Sequence, residues 1–492
     1  MQRIIGLMLI ALLISINIIA QKKRNAVWVT GTSGNKIDFN NNSIITSTGV
    51  YFPFKYFVQG TSCISDTNGN LILASDGFNL YDVFGGVILN GDSIVPKNYY
   101  TNYNGFSASS QTSIILPMAN NKFYFVTPTF SDAQFADCQQ NNNCSFDLLL
   151  YNIVDMNANG GLGEVTQRMK PLIQNGRMRK TQMMACLHGN GKDWWLLKNE
   201  GDSANVHTFL FTQDSVIDKG VQTFAEPVWG VWDIRGQSTF NSDGTKFATT
   251  SHGSSTGQIF LADFDRCWGK LSNPQTIIMP TGLQYLPWDS SITEKLSVGL
   301  AFSPNNKFLY VISMSNVYQY DLLDKTWFHI AGVDSVYPYA NVYETTYMGF
   351  DNKLYIGNVG TTSQHWSRID NPDVKGAGCN FCPRCLRIDS LGAFGYLGTP
   401  PCQPNYGMGA VAGGCWPLDS PNITVENDMV VYPNPASTLL TIKNRKGKKK
   451  VLYDCIGQII YSTLLDEINV SSFAKGIYFI KCEGETKKVI VE

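Results

Sequence analysis

The chain has 492 residues, with 38 Lys and Arg against 39 Asp and Glu and 43% hydrophobic residues. A net charge of −1 excludes nucleic acid as a main partner, because phosphate recognition needs a surplus of cations. The apolar fraction excludes global disorder, and the length suffices for two or three domains of about 100–200 residues each.

The N-terminus reads Met1-Gln2-Arg3, then an apolar run from Ile4 to Ala20, then Gln21-Lys22-Lys23-Arg24. A basic start, an apolar stretch and a small residue before a polar segment form a secretory signal pattern. Cleavage is expected after Ala20. The run has 17 residues and carries Ser15 and Asn17, which sets it at the short limit for a membrane anchor. The mature chain is expected to have no membrane span.

Residues 21–417 carry a recurring unit: a turn with Asn or Gly followed by a β-branched and aromatic run. Copies begin at Asp66-Thr67-Asn68-Gly69-Asn70, Ala119-Asn120-Asn121, Gly189-Asn190-Gly191, Ser242-Asp243-Gly244, Ser303-Pro304-Asn305-Asn306 and Asp351-Asn352. With Gly69, Asn121, Gly191, Gly244, Asn306 and Asn352 as markers, the spacings are 52, 70, 53, 62 and 46. Such a period fits a β-propeller blade with long loops, and a β-helix wants shorter, more regular repeats. The fold class is therefore all-β, a propeller expected to have seven blades. Six copies are visible. The seventh blade is expected to pair Ala26-Val27-Trp28-Val29 with a strand near Gly407 to Ala412 and so remove the open edge. Phrases such as Val317-Tyr318-Gln319-Tyr320-Asp321 and Phe260-Leu261-Ala262-Asp263-Phe264-Asp265 resemble WD40-like and lactonase-like propeller blades.

Twelve Cys occur. Cys138 and Cys144 bracket a polar loop, and a local disulfide suits an oxidising destination. Cys379, Cys382 and Cys385, with Cys402 and Cys415 downstream, form the densest cluster. Disulfides are expected there in an exported chain, and zinc or an iron–sulfur cluster in a cytosolic one. Five is odd, so one of them is free or reaches outside the cluster. Cys63, Cys186 and Cys267 stand beside strand residues and read as buried thiols.

Candidate chemistry is sparse. The five His include no His-x-x-x-His pair, and no Gly-x-Ser-x-Gly elbow occurs. Neither metal nor cofactor is expected. Asp66 to Asn70 lacks the distal Glu of a calcium loop and reads as a turn. Trp229, Trp232 and Asp233, then Trp288 and Asp289, then His365 and Trp366 fall between repeat copies. Exposed Trp beside Asp suits sugar recognition, the ring stacking on an apolar face and the carboxylate accepting hydroxyls. The competing reading packs these rings between blades. Asp233, Asp289 and Glu294 form a hydrolytic pair only if two come within about 5–10 Å.

Composition changes near residue 420. Residues 418–429 read as a linker. Alternating strands follow over 430–492, with tight turns at Lys446-Gly447 and Ile456-Gly457, the pattern of a small immunoglobulin-like β-sandwich. The ordered phrases are Tyr432-Pro433-Asn434-Pro435, Tyr453-Asp454-Cys455-Ile456-Gly457, Gly476-Ile477-Tyr478 and Lys487-Lys488. On these the segment resembles the type A C-terminal sorting domain of the type IX (Por) secretion system. The resemblance implies export through the periplasm to the outer-membrane surface or the medium. It also implies recognition of the folded sandwich by the translocon and removal by a sortase-like peptidase. Cys455 and Cys482 depart from that pattern and are expected in the sandwich core. Ser65 to Asn70 and Asp263 to Cys267 resemble phrases of propellers that precede such sorting domains.

The sequence points to an exported propeller that binds a glycan or a surface protein. An extracellular hydrolase or lyase on polysaccharide or lactone, and a structural adhesion protein, are the rivals.

Overall fold

A computed structural model describes residues 23–32, 34–40, 45–47, 55–103, 105, 107, 109–226, 235–251, 257–280, 297–332, 342–359, 365–388, 398–415, 429–483 and 485–492. The chain divides into two compact units, Met1–Cys415 and Trp416–Glu492.

The first unit is a ring of seven antiparallel sheets. Blade 1 holds Val27–Thr32, Asn35–Asp38, Ile45–Ser47 and Tyr56–Phe57. Blade 2 holds three strands, Ser62–Ser65, Leu71–Ser75 and Leu80–Tyr81. Blade 3 holds Ile114–Pro117, Lys122–Thr129, Leu148–Asp155 and Glu164–Ile173. Blade 4 holds Met178–Leu187, Trp194–Glu200, Asn205–Phe211 and Val216–Thr223. Blade 5 holds Gly236–Phe240, Lys246–Ser251, Gln258–Asp265 and Lys270–Ile278. Blade 6 holds Ser297–Phe302, Phe308–Ser313, Asn316–Asp321 and Thr326–Gly332, and blade 7 holds Val342–Met348, Leu354–Val359, His365–Ile369 and Phe381–Arg387.

In blades 2 to 7 the first strand is innermost. Burial follows that order. Met178–Leu187 is buried at every position, whereas Val216–Thr223, outermost in the same blade, is largely exposed.

The six repeat turns are the connections between the first and second strands of blades 2 to 7. Their local cause is visible. Gly69, Asn121, Gly191, Gly244, Asn306 and Asn352 all have positive φ, between 56° and 97°. Only Gly, and Asn among side-chain-bearing residues, enter that region at low cost. Asp66 completes the first turn by accepting the N–H groups of Asn68 and Asn70, both at 2.8 Å. Its carboxylate is thus occupied within the turn.

Blade 1 packs on blade 7 through aromatic rings. Trp28 meets Tyr355 edge-on at 5.4 Å and lies 6.2 Å from Trp366. Such pairs add about 0.5–1.5 kcal/mol each beyond their buried area.

Closure differs from the expectation. Residues 407–412 form no strand. Instead, residues 398–402 lie beside blade 1. Thr30 Oγ1 donates to Thr399 O (3.0 Å), Thr399 N–H to Val58 O (2.7 Å) and Cys402 N–H to Thr61 O (2.8 Å). The Trp366 indole donates to Gly398 O at 2.9 Å. Pro400 and Pro401 deny this stretch a regular ladder.

The second unit is a sandwich of two sheets. One contains Val430–Tyr432, Leu439–Lys443 and Glu467–Asn469. The other contains Ile459–Thr463, Lys450–Tyr453, Gly476–Cys482 and Glu485–Val491. Leu440, Leu452, Ile468, Ile480 and Val489 fill the space between them. Cys482 is buried as expected, but Cys455 is exposed. It sits in the turn that Asp454 closes by accepting the N–H groups of Ile456 and Gln458, so its side chain faces water.

Candidate functional site

The inner strands place polar side chains along the axis of the ring. Near their starts, Gln111 and Ser238 exchange two hydrogen bonds of 2.8 Å. Gln237 Oε1 accepts from Leu300 and Thr346, and its Nε2 donates to Thr346 O. One side chain thus ties blades 5, 6 and 7. Glu344 lies here with 1% exposure. Gln59 Nε2 donates to both of its oxygens (3.0 and 2.9 Å) and Ser110 donates at 3.2 Å. Arg235 Nε stands 3.9 Å away. Burial raises the Glu344 carboxyl above its usual range, against the pull of Arg235, Gln59 and Ser110.

Lys198 is a second buried charge-bearing group, in blade 4. Four residues of the inner strand of blade 4, 179–182, bulge opposite Asn199 between the paired positions Met178–Glu200 and Met183–Lys198. The Lys198 amine donates to the carbonyls of Arg179 and Thr181 inside that bulge. Burial, then the charge of Arg179, pushes its pKa well down.

At the opposite ends of the inner strands lies a cavity of about 360 Å³. A strap, residues 403–415, crosses there. Gln403 Nε2 donates to Cys63 O (2.7 Å), Tyr406 Oη to Ile115 O (2.8 Å), and Val411 N–H to Gly189 O (2.9 Å). Arg266 reaches Gly409 O at 2.6 Å, and a disulfide joins Cys267 to Cys415. The strap thereby touches blades 2 to 5. Phe302, Thr346, Tyr347, Gln403 and Met408 line the cavity, with exposed Asn352 and Asn405 at its rim.

Of the sequence-expected ligand residues, Trp229, Trp232, Asp233, Trp288 and Asp289 lie outside the described residues, as does Glu294. Trp366 is wholly buried against Trp28. His365 is half-buried beside Arg384 and Arg387, and desolvation followed by those charges lowers its pKa. Cys138 and Cys144 form a disulfide across the end of the helix Asp132–Asn141. Cys415 leaves its cluster to pair with Cys267, which corrects the reading of Cys267 as a buried thiol. Cys379, Cys382, Cys385 and Cys402 are free thiols. Among the described residues no group of three or more His, Cys, Asp or Glu could hold a metal.

Sequence reasoning missed Glu344, Thr346, Gln403 and Tyr406. Glu344 stands in Tyr343-Glu344-Thr345, a strand phrase without a motif. Gln403 and Tyr406 lie in Pro401-Cys402-Gln403-Pro404-Asn405-Tyr406, whose two prolines were the available signal for an irregular segment.

In the second unit, Asn434 Nδ2 donates to Lys488 O and its Oδ1 accepts from Ile490 N–H, both at 2.8 Å. The Tyr432 to Pro435 phrase is thereby pinned to the last strand. Tyr453 and Asp454 open the turn at Gly457, whose φ is 82°. Gly476 starts the strand that carries Tyr478, whose hydroxyl donates to Ala474 O at 2.7 Å. Lys487 pairs with Glu485 at 3.1 Å, and Lys488 is exposed. The outer face of this sheet exposes Ile459, Tyr461, Ile477 and Phe479. Among the described residues no helix is long and apolar enough to cross a membrane.

Comparisons with known proteins separate the two units. Beta-agarase A of Zobellia galactanivorans is 35% identical over 75 residues, 14% of this chain, and the chain spans only 14% of that relative. A putative 6-phosphogluconolactonase from Bacteroides fragilis has a TM-score of 0.42 at 10% identity, covering 74% of this chain and 96% of that one. A periplasmic gluconolactonase from Pseudomonas aeruginosa has a TM-score of 0.35 at 12% identity, covering 84% of this chain and 94% of that one. Residues 430–492 match the family described as the secretion system C-terminal sorting domain. The end of this chain, with Asn434 holding the Tyr432 to Pro435 phrase on a lysine-bearing last strand, is a sorting domain of the Por, or type IX, secretion system.

Proposed function

We propose that this chain enters the periplasm on a signal peptide spanning 1–20 and leaves through the type IX translocon. There it works as a surface or released recognition module whose propeller, 21–417, is followed by a linker, 418–429. The exposed apolar face around Ile477 and Phe479 suits recognition of the folded sandwich, since patches of this kind mark docking surfaces. A sortase-like peptidase then removes the domain.

The observation that carries recognition over turnover is the state of Glu344. Its oxygens accept from Gln59 and Ser110 and face Arg235. Paired-carboxylate hydrolysis needs a second acid within about 5–10 Å, and among the described residues the groups that bond or face Glu344 are an amide, a hydroxyl and a guanidinium. A glycan or a surface protein is the proposed ligand.

One observation favours the second reading, a hydrolase or lyase. Asp233 precedes Arg235, the neighbour of Glu344, by two residues. The test is the exported protein, purified from culture, on a panel of polysaccharides and lactones scored for retention and for turnover. Retention without turnover supports recognition. Turnover abolished by Glu344→Gln or Asp233→Asn replaces it with catalysis.

A further inference from the structure

Two free thiols stand together on the outer strand of blade 7. Phe381–Arg387 pairs with His365–Ile369 at Cys382–Arg368 and at Leu386–Trp366, so Pro383, Arg384 and Cys385 oppose Ser367 alone. The strand bulges there. Pro383 is followed by Arg384 at a φ of 51°, and the Arg384 N–H donates to Ser367 Oγ at 3.1 Å. A proline followed by a positive-φ residue turns a chain back within four positions. Cys382 and Cys385 are thereby brought together. The Cys385 thiol donates to Cys382 O at 3.3 Å and also bonds the Cys382 thiol.

Access sets this pair apart. Cys63, Cys186, Cys379 and Cys402 are buried, whereas Cys382 is half-buried and Cys385 is exposed. Thiol–disulfide exchange requires that a partner sulfur reach the attacking one, and among the described free thiols of the propeller this pair alone meets that condition. Neither residue belongs to the apolar clusters of the ring, so a bond closed here disturbs no packed core.

The two sulfurs differ. Cys385 is exposed as a residue, but its sulfur turns in toward Cys382. Burial of that sulfur, then its bond to Cys382, push the thiol up to about 12 against the pull of Arg368. Cys385 therefore keeps its proton in a neutral medium. The nucleophile in exchange is a thiolate, which leaves Cys382 as the sulfur that attacks first.

We propose that Cys382 and Cys385 form a thiol–disulfide exchange site that reduces a disulfide-bearing partner. Cys382 Sγ attacks one sulfur of the incoming disulfide, a mixed disulfide forms, and the other partner sulfur leaves as a thiolate. Cys385 then loses its proton and attacks Cys382 Sγ, which expels the second partner sulfur. The two protons given up by the cysteines end on the two partner thiols. Two thiols of this chain become one disulfide, and one partner disulfide becomes two thiols. Excess partner thiol runs the steps backward. The site is independent of what the propeller recognises.

The full chain, held with glutathione and its disulfide at stepped ratios, alkylated and read by peptide mass spectrometry, tests it. Cys382–Cys385 should close as the share of glutathione disulfide rises, with loss of both alkylated thiols, and reopen when the ratio is reversed. Cys138–Cys144 and Cys267–Cys415 should stay closed throughout. Cys385→Ser should trap one glutathione at Cys382, and Cys382→Ser should take up none at residue 385 at neutral pH. Under reducing conditions both variants should melt with the wild type, so a lost exchange is not a lost fold. Exchange with glutathione disulfide alone sustains the site and assigns a small partner, and exchange that extends to the disulfides of insulin sustains it and assigns a protein. A pair that stays open at every ratio, a pair that opens only together with Cys267–Cys415, or an adduct trapped in Cys382→Ser and absent from Cys385→Ser overturns the proposal.

Discussion

Glu344 illustrates what a single buried residue does to the whole stability curve. Its folded pKa is raised above the ordinary 4.5. Below 4.5 the carboxyl is protonated in both folded and unfolded chains, and its contribution is fully present. As pH rises, the unfolded chain ionises first, and stability falls until the folded group ionises too. Melting temperatures of wild type and Glu344→Gln should therefore diverge from pH 4 to pH 7, the variant gaining on the wild type. Lys198 gives the opposite kind of test. Its amine is the donor that satisfies two bulge carbonyls. Lys198→Met leaves both unmet in the interior and should cost about 3 kcal/mol by denaturant titration. Neither residue was legible beforehand. Their partners come from residues 59, 110, 179, 181 and 235, and no local pattern records such meetings. Asn434 was legible as part of a phrase, but its two bonds to the last strand appear only in the fold.

At the scale of elements, legibility followed locality. The six inner-strand turns could be read because their chemistry lies within five residues: a left-handed Gly or Asn and a capping Asp or Asn. The sandwich strands could be read from alternation and from the turns at Gly447 and Gly457. The strap could not. It has no periodicity, Pro404 interrupts it, and its partners lie in blades 2 to 5. The phrase Asp263 to Cys267 stood out in the sequence, and its work is structural. Asp263 pairs with Lys246 at 2.7 Å, Arg266 bonds the strap, and Cys267 anchors its end. The two disulfides should differ in worth. Cys267–Cys415 spans 148 residues and Cys138–Cys144 spans 6. Loop-closure entropy assigns about 5 kcal/mol to the first and about 2 to the second. Cys415→Ser should thus lower the denaturation midpoint more than Cys144→Ser, and equal losses would contradict that account.

At the scale of the whole molecule, the all-β class, the seven sheets and the terminal sandwich agree with the sequence. The partner of the first strand did not, because 398–402 bonds as an extended, proline-interrupted segment rather than as a patterned strand. The sorting domain makes a prediction that concerns only the chain's destination. Deletion of 426–492 should leave a folded propeller in the periplasm, assayed by cell fractionation. Truncated protein at the surface or in the medium would contradict the assignment of export to this domain.

Closure of the ring has a consequence for synthesis. The bond from Thr30 to Thr399 joins residues 369 positions apart, so the ring completes only when nearly all of the propeller has left the ribosome. Contacts of such separation form late. The sorting domain begins downstream of the closing segment. A chain that stops early loses both, and an unfinished ring therefore never bears the tag that would send it out of the cell.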